Sequence, residues 1–170
     1  MLLLALSITP LFTSCEDDDD KIGTPVDHDF NLYVSGVYNG RTQNYLSSNR
    51  FNESLILDTL NQKVVIMPIV GTTDQATLTY HDWTYQGMNY GDLIFEPVTI
   101  SLLYGNYMIS GSCTQMLRKG NRTFEAKLTV DGTIGRENHQ CNLQLGVEMP
   151  VPGNPLNFKL VYDGKPVETN

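Results

Sequence analysis

Between Arg122 and Met149 the chain alternates apolar and polar residues for so long that its conformation is nearly decided there. Phe124, Ala126, Leu128, Val130, Gly132 and Ile134 share one face, while Thr123, Glu125, Lys127, Thr129, Asp131 and Thr133 share the other. Downstream, Cys141, Leu143, Leu145, Val147 and Met149 face one way and Asn142, Gln144, Gly146 and Glu148 the other. A period of two belongs to a strand, and strands with one wet face belong to an antiparallel sheet. A tight turn at Asp131-Gly132 would pair Ala126 with Glu137 and mix the faces. A four-residue loop at Gly135-Arg136-Glu137-Asn138 instead pairs Val130 with Leu143, Leu128 with Leu145, Ala126 with Val147 and Phe124 with Met149. A slip of one residue would turn the whole apolar set into water. The longer loop is therefore expected, against the usual hairpin signal of Asp-Gly.

The rest of the chain reads as further strands. Leu32 to Gly40 is one, with a bend or bulge at Gly36 and Gly40. Leu55-Ile56-Leu57 and Val64 to Met67 are β-rich runs, with a hairpin expected over Asp58 to Lys63 and an edge or bulge at Pro68. Ala76 to Trp83 leads into an aromatic loop, and Asp92 to Leu103 is strand-like around Pro97. A turn at Tyr104-Gly105-Asn106-Tyr107 precedes Met108 to Cys113. The one candidate for a helical turn lies near Ser112 to Leu117. Pro150 to Pro155 is a rigid crossing loop that delivers a last strand, Leu156 to Tyr162. The sum is eight to ten strands at the spacing of an all-β antiparallel barrel or, alternatively, a β-sandwich.

The amino terminus is a different kind of sequence. Met1 to Pro10 is apolar but shorter than the about 20 residues a membrane span needs, and it ends in small residues in the manner of a cleaved export signal. Seven of the 19 acidic residues (Glu16 to Asp20, Asp27 and Asp29) and one of the 11 basic ones precede Phe30. Of the net charge of −8, that tether carries −6 and the remainder −2. A near-neutral domain lacks the converging cations that nucleic-acid binding needs, so no nucleic-acid partner is expected. The tether's charge keeps it extended and solvated.

Phe12-Thr13-Ser14-Cys15, followed by Glu16-Asp17-Asp18-Asp19-Asp20, resembles the lipobox and acidic export tether of Bacteroidetes lipoproteins. Phe12 stands where leucine is usual. The resemblance implies cleavage before Cys15, lipidation of its thiol and a lipid-anchored, surface-exposed protein of the bacterial outer membrane. Two or three acyl chains, at about 0.8 kcal/mol per buried methylene, would make the anchor permanent. The division that follows is 1–14 signal peptide, 15–29 acidic lipidated tether and 30–170 a single all-β domain. Over roughly residues 30–165, Gly36-Val37-Tyr38-Asn39-Gly40 and the meander behind it resemble the calycin-like (lipocalin-like) barrel lipoproteins of Bacteroidetes. Tyr38 stands where lipocalins carry the tryptophan of their Gly-x-Trp motif.

Candidate chemistry is sparse. Tyr80, Asp82, Trp83, Tyr85 and Tyr90 set aromatic faces among polar groups, a combination that suits a small amphipathic ligand or a glycan. The same aromatics also fit half-buried strands and barrel mouths. Asp58-Thr59-Leu60 resembles the tripeptide that Bacteroidetes O-glycosylate, which makes Thr59 a candidate in its expected hairpin turn. Outside the cytoplasm Cys113 and Cys141 are free to pair as a disulfide; the other reading is two buried apolar thiols. His28, His81 and His139 do not share metal-ligand spacing, and neither a metal nor a cofactor is expected. The chain has no Gly-x-Ser-x-Gly elbow, and Ser110-Gly111-Ser112-Cys113 has no recognisable base. Paired carboxylates stay open. The expectation is a non-catalytic binding lipoprotein, with a structural or protein-interaction module of an envelope complex or adhesin as its rival.

Overall fold

The computed structural model describes residues 24–25, 33–48, 51–150 and 156–167. Cys15 and the acidic run behind it lie outside the described residues. The strands are β1 (Thr24–Pro25), β2 (Gly36–Ser48), β3 (Phe51–Pro68), β4 (Gln75–Tyr85) and β5 (Met88–Leu103). They continue with β6 (Asn106–Lys119), β7 (Arg122–Gly135), β8 (Cys141–Met149) and β9 (Leu156–Pro166). Each of β2 to β9 pairs antiparallel with its neighbours in the chain, and β2 also pairs with β9. The ring closes, so the eight strands form a meander barrel and the sandwich alternative falls. Two residues, β1, lie beside Ser101 and Leu102 of β5.

Alternation sets the two surfaces of the wall. On β8, Cys141, Leu143, Leu145, Val147 and Met149 are all buried, and Leu128, Val130 and Ile134 of β7 join them. Fully burying one such aliphatic side chain contributes about 1.5–3 kcal/mol. The outer face carries Arg41, Glu125, Lys127, Asn142, Gln144 and Glu148, all exposed. A lipid-embedded barrel has the reverse pattern, with apolar residues outside; on this part of the wall the outer face is polar.

The large hairpin keeps its expected faces but not its expected register. Val130 pairs with Leu145, Leu128 with Val147 and Ile134 with Cys141, which is two residues from the pairing expected above. A two-residue shift leaves every apolar side chain on its own face, so the alternation is blind to it. The loop settles the register: the Gly135 amide donates to the Gln140 carbonyl at 3.0 Å and the His139 amide to the Gly135 carbonyl at 2.9 Å.

Two other expectations are corrected. β3 is a single strand through Asp58 to Lys63, not two strands joined by a hairpin. Register shifts, with Asn61 at φ 59°, let the polar run bend without turning back. β6 runs extended through Ser112 to Leu117, where a helical turn was expected. The turn at Tyr104-Gly105 is as expected, a two-residue hairpin with both residues at positive φ.

The barrel has two ends. At one, the chain entering β2 covers the interior: Val34 is fully buried, its carbonyl accepts from the Tyr38 hydroxyl at 2.7 Å, and Tyr33 stacks on Tyr107 and His139. The other end carries the turns at Gln86-Gly87 and Gly120-Asn121 and the aromatic cluster described next.

Candidate functional site

The site is built by two bulges on the β4–β5 hairpin. Leu78 and Tyr80 face inward, and strict alternation would send Asp82 in after them. Asp82 instead takes φ 52° as an extra residue between the pairs Tyr80–Leu93 and Trp83–Gly91. The bulge resets the alternation, so Trp83 enters the barrel and Asp82 stays exposed. On β5 the irregularity between Gly91 and Asn89 does the same for Tyr90. Trp83 and Tyr90 are 2% and 4% exposed, with ring centroids 4.9 Å apart.

Around them gather aromatics from distant strands. Phe158 of β9 meets Trp83 edge-on at 5.2 Å and Tyr85 at 4.6 Å. Phe124 of β7 meets Tyr90 at 6.1 Å. Such edge-to-face pairs each add about 0.5–1.5 kcal/mol beyond the area they bury.

Of the five residues singled out in the sequence, the structure thus brings together Trp83, Tyr85 and Tyr90. Tyr80 sits in the interior among Tyr38, Tyr162 and Thr42, and burial pushes its hydroxyl up to about 12. Burial raises the Tyr38 and Tyr162 hydroxyls as well. Asp82 is on the outside, accepting from Asn89 Nδ2 at 3.1 Å. Phe124 and Phe158 were not singled out; their only sequence signal is an inward position on an alternating strand.

The wall around this cluster is incompletely laddered. β3 pairs with β4 only from Val64–Tyr80 to Pro68–Ala76, and β5 with β6 only from Thr99–Ser110 to Leu103–Asn106. Beyond those points side chains replace the backbone. Gln62 Nε2 donates to the His81 carbonyl at 2.5 Å. Gln115 Nε2 donates to the Asp92 carbonyl at 2.8 Å, and its Oε1 accepts from the Ile94 amide at 2.9 Å. Both glutamines fall at inward positions of their strands, where the pattern would place apolar residues.

Past Gln115 the β5–β6 seam opens into a hollow of about 590 Å³ lined by Asn89, Tyr90, Gly91, Arg118, Gly120 and Asn121. The Tyr90 hydroxyl is buried and has no hydrogen-bond partner. Such a group is ordinarily met by protein, water or ligand. Lys119 Nζ stands 6.0 Å from the Tyr90 ring centroid. This opening is the candidate mouth, and the aromatic cluster is its floor.

The remaining candidates are placed as follows. Thr59 lies within β3, half-buried and opposite Thr42, not in a hairpin turn. Its neighbour Asp58 makes a two-pronged pair with Arg41. The hydrogen bond from Arg41 holds the Asp58 carboxyl below its usual range. Cys113 and Cys141 are free thiols, so the disulfide open to an exported chain is not made. Cys113 donates to the Ile94 carbonyl at 3.3 Å across the seam. Cys141 is buried, which pushes its thiol up to about 12. His81 Nδ1 lies 3.0 Å from Asp92 Oδ2, and Asp92 Oδ1 accepts from the Asp82 amide at 2.9 Å. Among the described residues no Ser or Cys hydrogen-bonds His81, and no group of three or more His, Cys, Asp or Glu could hold a metal ion.

No protein-family model matches the chain, and no curated protein matches it by sequence. Among solved structures it is similar to a protein of Bacteroides fragilis NCTC 9343 described as a "putative outer membrane protein". The TM-score is 0.57 at 20% identity over 80% of this chain and 52% of that one. The likeness is one of fold, and this chain spans about half the length of that protein.

Proposed function

We propose that this is a lipid-anchored envelope protein of calycin type whose barrel binds a small amphipathic ligand or glycan through the β5–β6 mouth, without catalysis. The observation that carries the reading is the opening itself: the wall parts beside an aromatic floor, with amides, a guanidinium and an unpartnered hydroxyl around it. Concave sites with apolar walls and few polar fixers are where small ligands settle. The polar part of the outer wall supports attachment by something other than the barrel, and Cys15 supplies the sequence for a lipid. The Bacteroides fragilis neighbour supports an outer-membrane setting through its description alone.

Trp83 is the single tryptophan, so its emission reports on the floor without labelling. Titrating the whole protein with a panel of oligosaccharides and medium-chain amphiphiles should give a saturable change for at least one class. A flat response across both classes, checked by calorimetry, overturns the reading.

A second reading has its own observation. The first half of β3 pairs with β2 alone and exposes Leu55, Ile56, Leu57 and Leu60. An open apolar edge of this kind suits a protein partner. Self-association that Leu57→Lys abolishes would favour that reading.

A further inference from the structure

We propose that the mouth selects ligands bearing an oxyanion, a carboxylate or a phosphate, on an apolar body; the inference rests on the ligand-binding reading above and names its ligand class. The near-neutral charge of the domain conceals how that charge is arranged. Of the ten Lys and Arg from Phe30 onward, three (Arg118, Lys119 and Arg122) fall within five residues. These five form the tip of the β6–β7 hairpin, where Lys119 pairs with Arg122 across the turn.

Lys119 and Arg122 lie on the same side of their strands as Leu117 and Phe124, the side that faces the barrel axis. Both are exposed, beyond the last buried layer, and Lys119 reaches over the Tyr90 ring. Two cations therefore stand above the aromatic floor at the open end. The third, Arg118, lines the hollow directly; its Nε is held by the Gly120 carbonyl at 2.8 Å. Among the described residues none of the three pairs with a carboxylate.

Two of the acids nearest the mouth along the chain, Asp82 and Asp92, are otherwise engaged. Asp92 is bound to His81 and to the Asp82 amide, and Asp82 to Asn89. Glu125 lies opposite Met116 on the outer face, diagonal to Arg118 and on the other side of the strand from Arg122. Tyr90, whose hydroxyl is buried without a partner, lines the same hollow. Guanidinium groups take carboxylate and phosphate oxygens by paired hydrogen bonds, and the aromatic floor gives an alkyl or ring body a place to rest.

The test titrates the whole protein, by Trp83 emission and calorimetry, with decanoate, decyl phosphate, decanol and inorganic phosphate. The two anionic amphiphiles should bind at least about tenfold tighter than decanol, with an affinity that falls as salt rises. The Lys119→Gln/Arg122→Gln variant should lose that advantage and keep the decanol affinity. Both positions are exposed, so an unchanged melting temperature certifies the fold. Equal affinity for decanoate and decanol overturns the inference while leaving the ligand-binding reading intact. So does an anion preference that survives when Arg118→Gln is added to the double variant. Inorganic phosphate binding as tightly as decyl phosphate overturns the amphiphile class. Failure of decanol along with all the anions overturns this inference, and the ligand-binding reading falls with it only if the oligosaccharide panel is silent as well.

Discussion

The two halves of the barrel wall obey different rules. From β6 through β7, β8 and β9 to β2, backbone ladders run most of the length of each strand, as with Cys141–Met149 against Leu156–Gly164. From β3 to β6 the ladders on either side of the β4–β5 hairpin stop after five residue pairs each. In the first half the inward positions are mostly apolar, with Thr42 and Asn44 of β2 the buried polar exceptions, and the strands touch directly. In the second, Gln62 and Gln115 occupy inward positions and their amides stand where a neighbouring backbone would be. A complete ladder leaves no way in. Where a side chain does the joining, the joint can end, and past Gln115 it ends in the mouth.

The contrast can be broken in several places, with effects of decreasing size. Leu145→Ala empties a fully buried site in the laddered half; it should cost about 3 kcal/mol of global stability, read as a lower urea midpoint at unchanged m. Gln115→Ala removes the partner of one backbone amide and one carbonyl. It should cost about 1–2 kcal/mol, and hydrogen exchange should quicken at Ile94 well before it quickens on β8. If exchange rises equally in both halves, the wall is uniform and the contrast is lost. Gln62→Ala, which removes the donor to the His81 carbonyl and a longer 3.4 Å contact to the Lys63 carbonyl, should do the same to the other joint at a somewhat lower cost.

A titration reaches the interior without mutation. The Tyr80 hydroxyl and Cys141 thiol are held at about 12, against ordinary values of 10.0 and 9.0. The folded state therefore keeps protons that the unfolded chain gives up. Stability from these groups is complete below about pH 9 and is lost as pH rises toward 12. Tyrosinate absorbance at 295 nm should show a late fraction that ionises only together with unfolding. Alkylation of Cys141 at pH 8 should likewise require unfolding.

The smallest effect belongs to Arg41–Asp58, a solvent-exposed pair. Arg41→Ala should leave the melting temperature at pH 7 nearly unchanged. Asp58's lowered value means that what little the pair contributes is present at neutral pH and fades as acid protonates the carboxylate.

How much of this was legible depends on which physical signal carried it. Alternation from Arg122 to Met149 told which side chains enter the barrel, because burial acts on every second residue. It could not tell two registers apart when they differ by one full period, and the choice fell to hydrogen bonds within the 135–140 loop. The polar run Asp58 to Lys63 has the composition of a turn, yet Gln62 is polar because it bonds His81 across a joint. The bulge at Asp82 separates that residue from Trp83, its neighbour in the chain, and no periodic pattern announces an extra residue. Phe124 and Phe158 join the floor through contacts across the barrel, which a reading along the chain cannot see.

Thr24 and Pro25 rest against Leu102 and Ser101, at the far end of β5 from Tyr90. At about 3.3 Å per residue, the intervening strand is roughly 40 Å long. Cys15 is nine residues upstream of Thr24. A molecule tethered to lipid through that cysteine would stand with its capped pole toward the membrane and its cationic rim turned to the medium, so that a ligand would arrive from solution and not from the bilayer beneath.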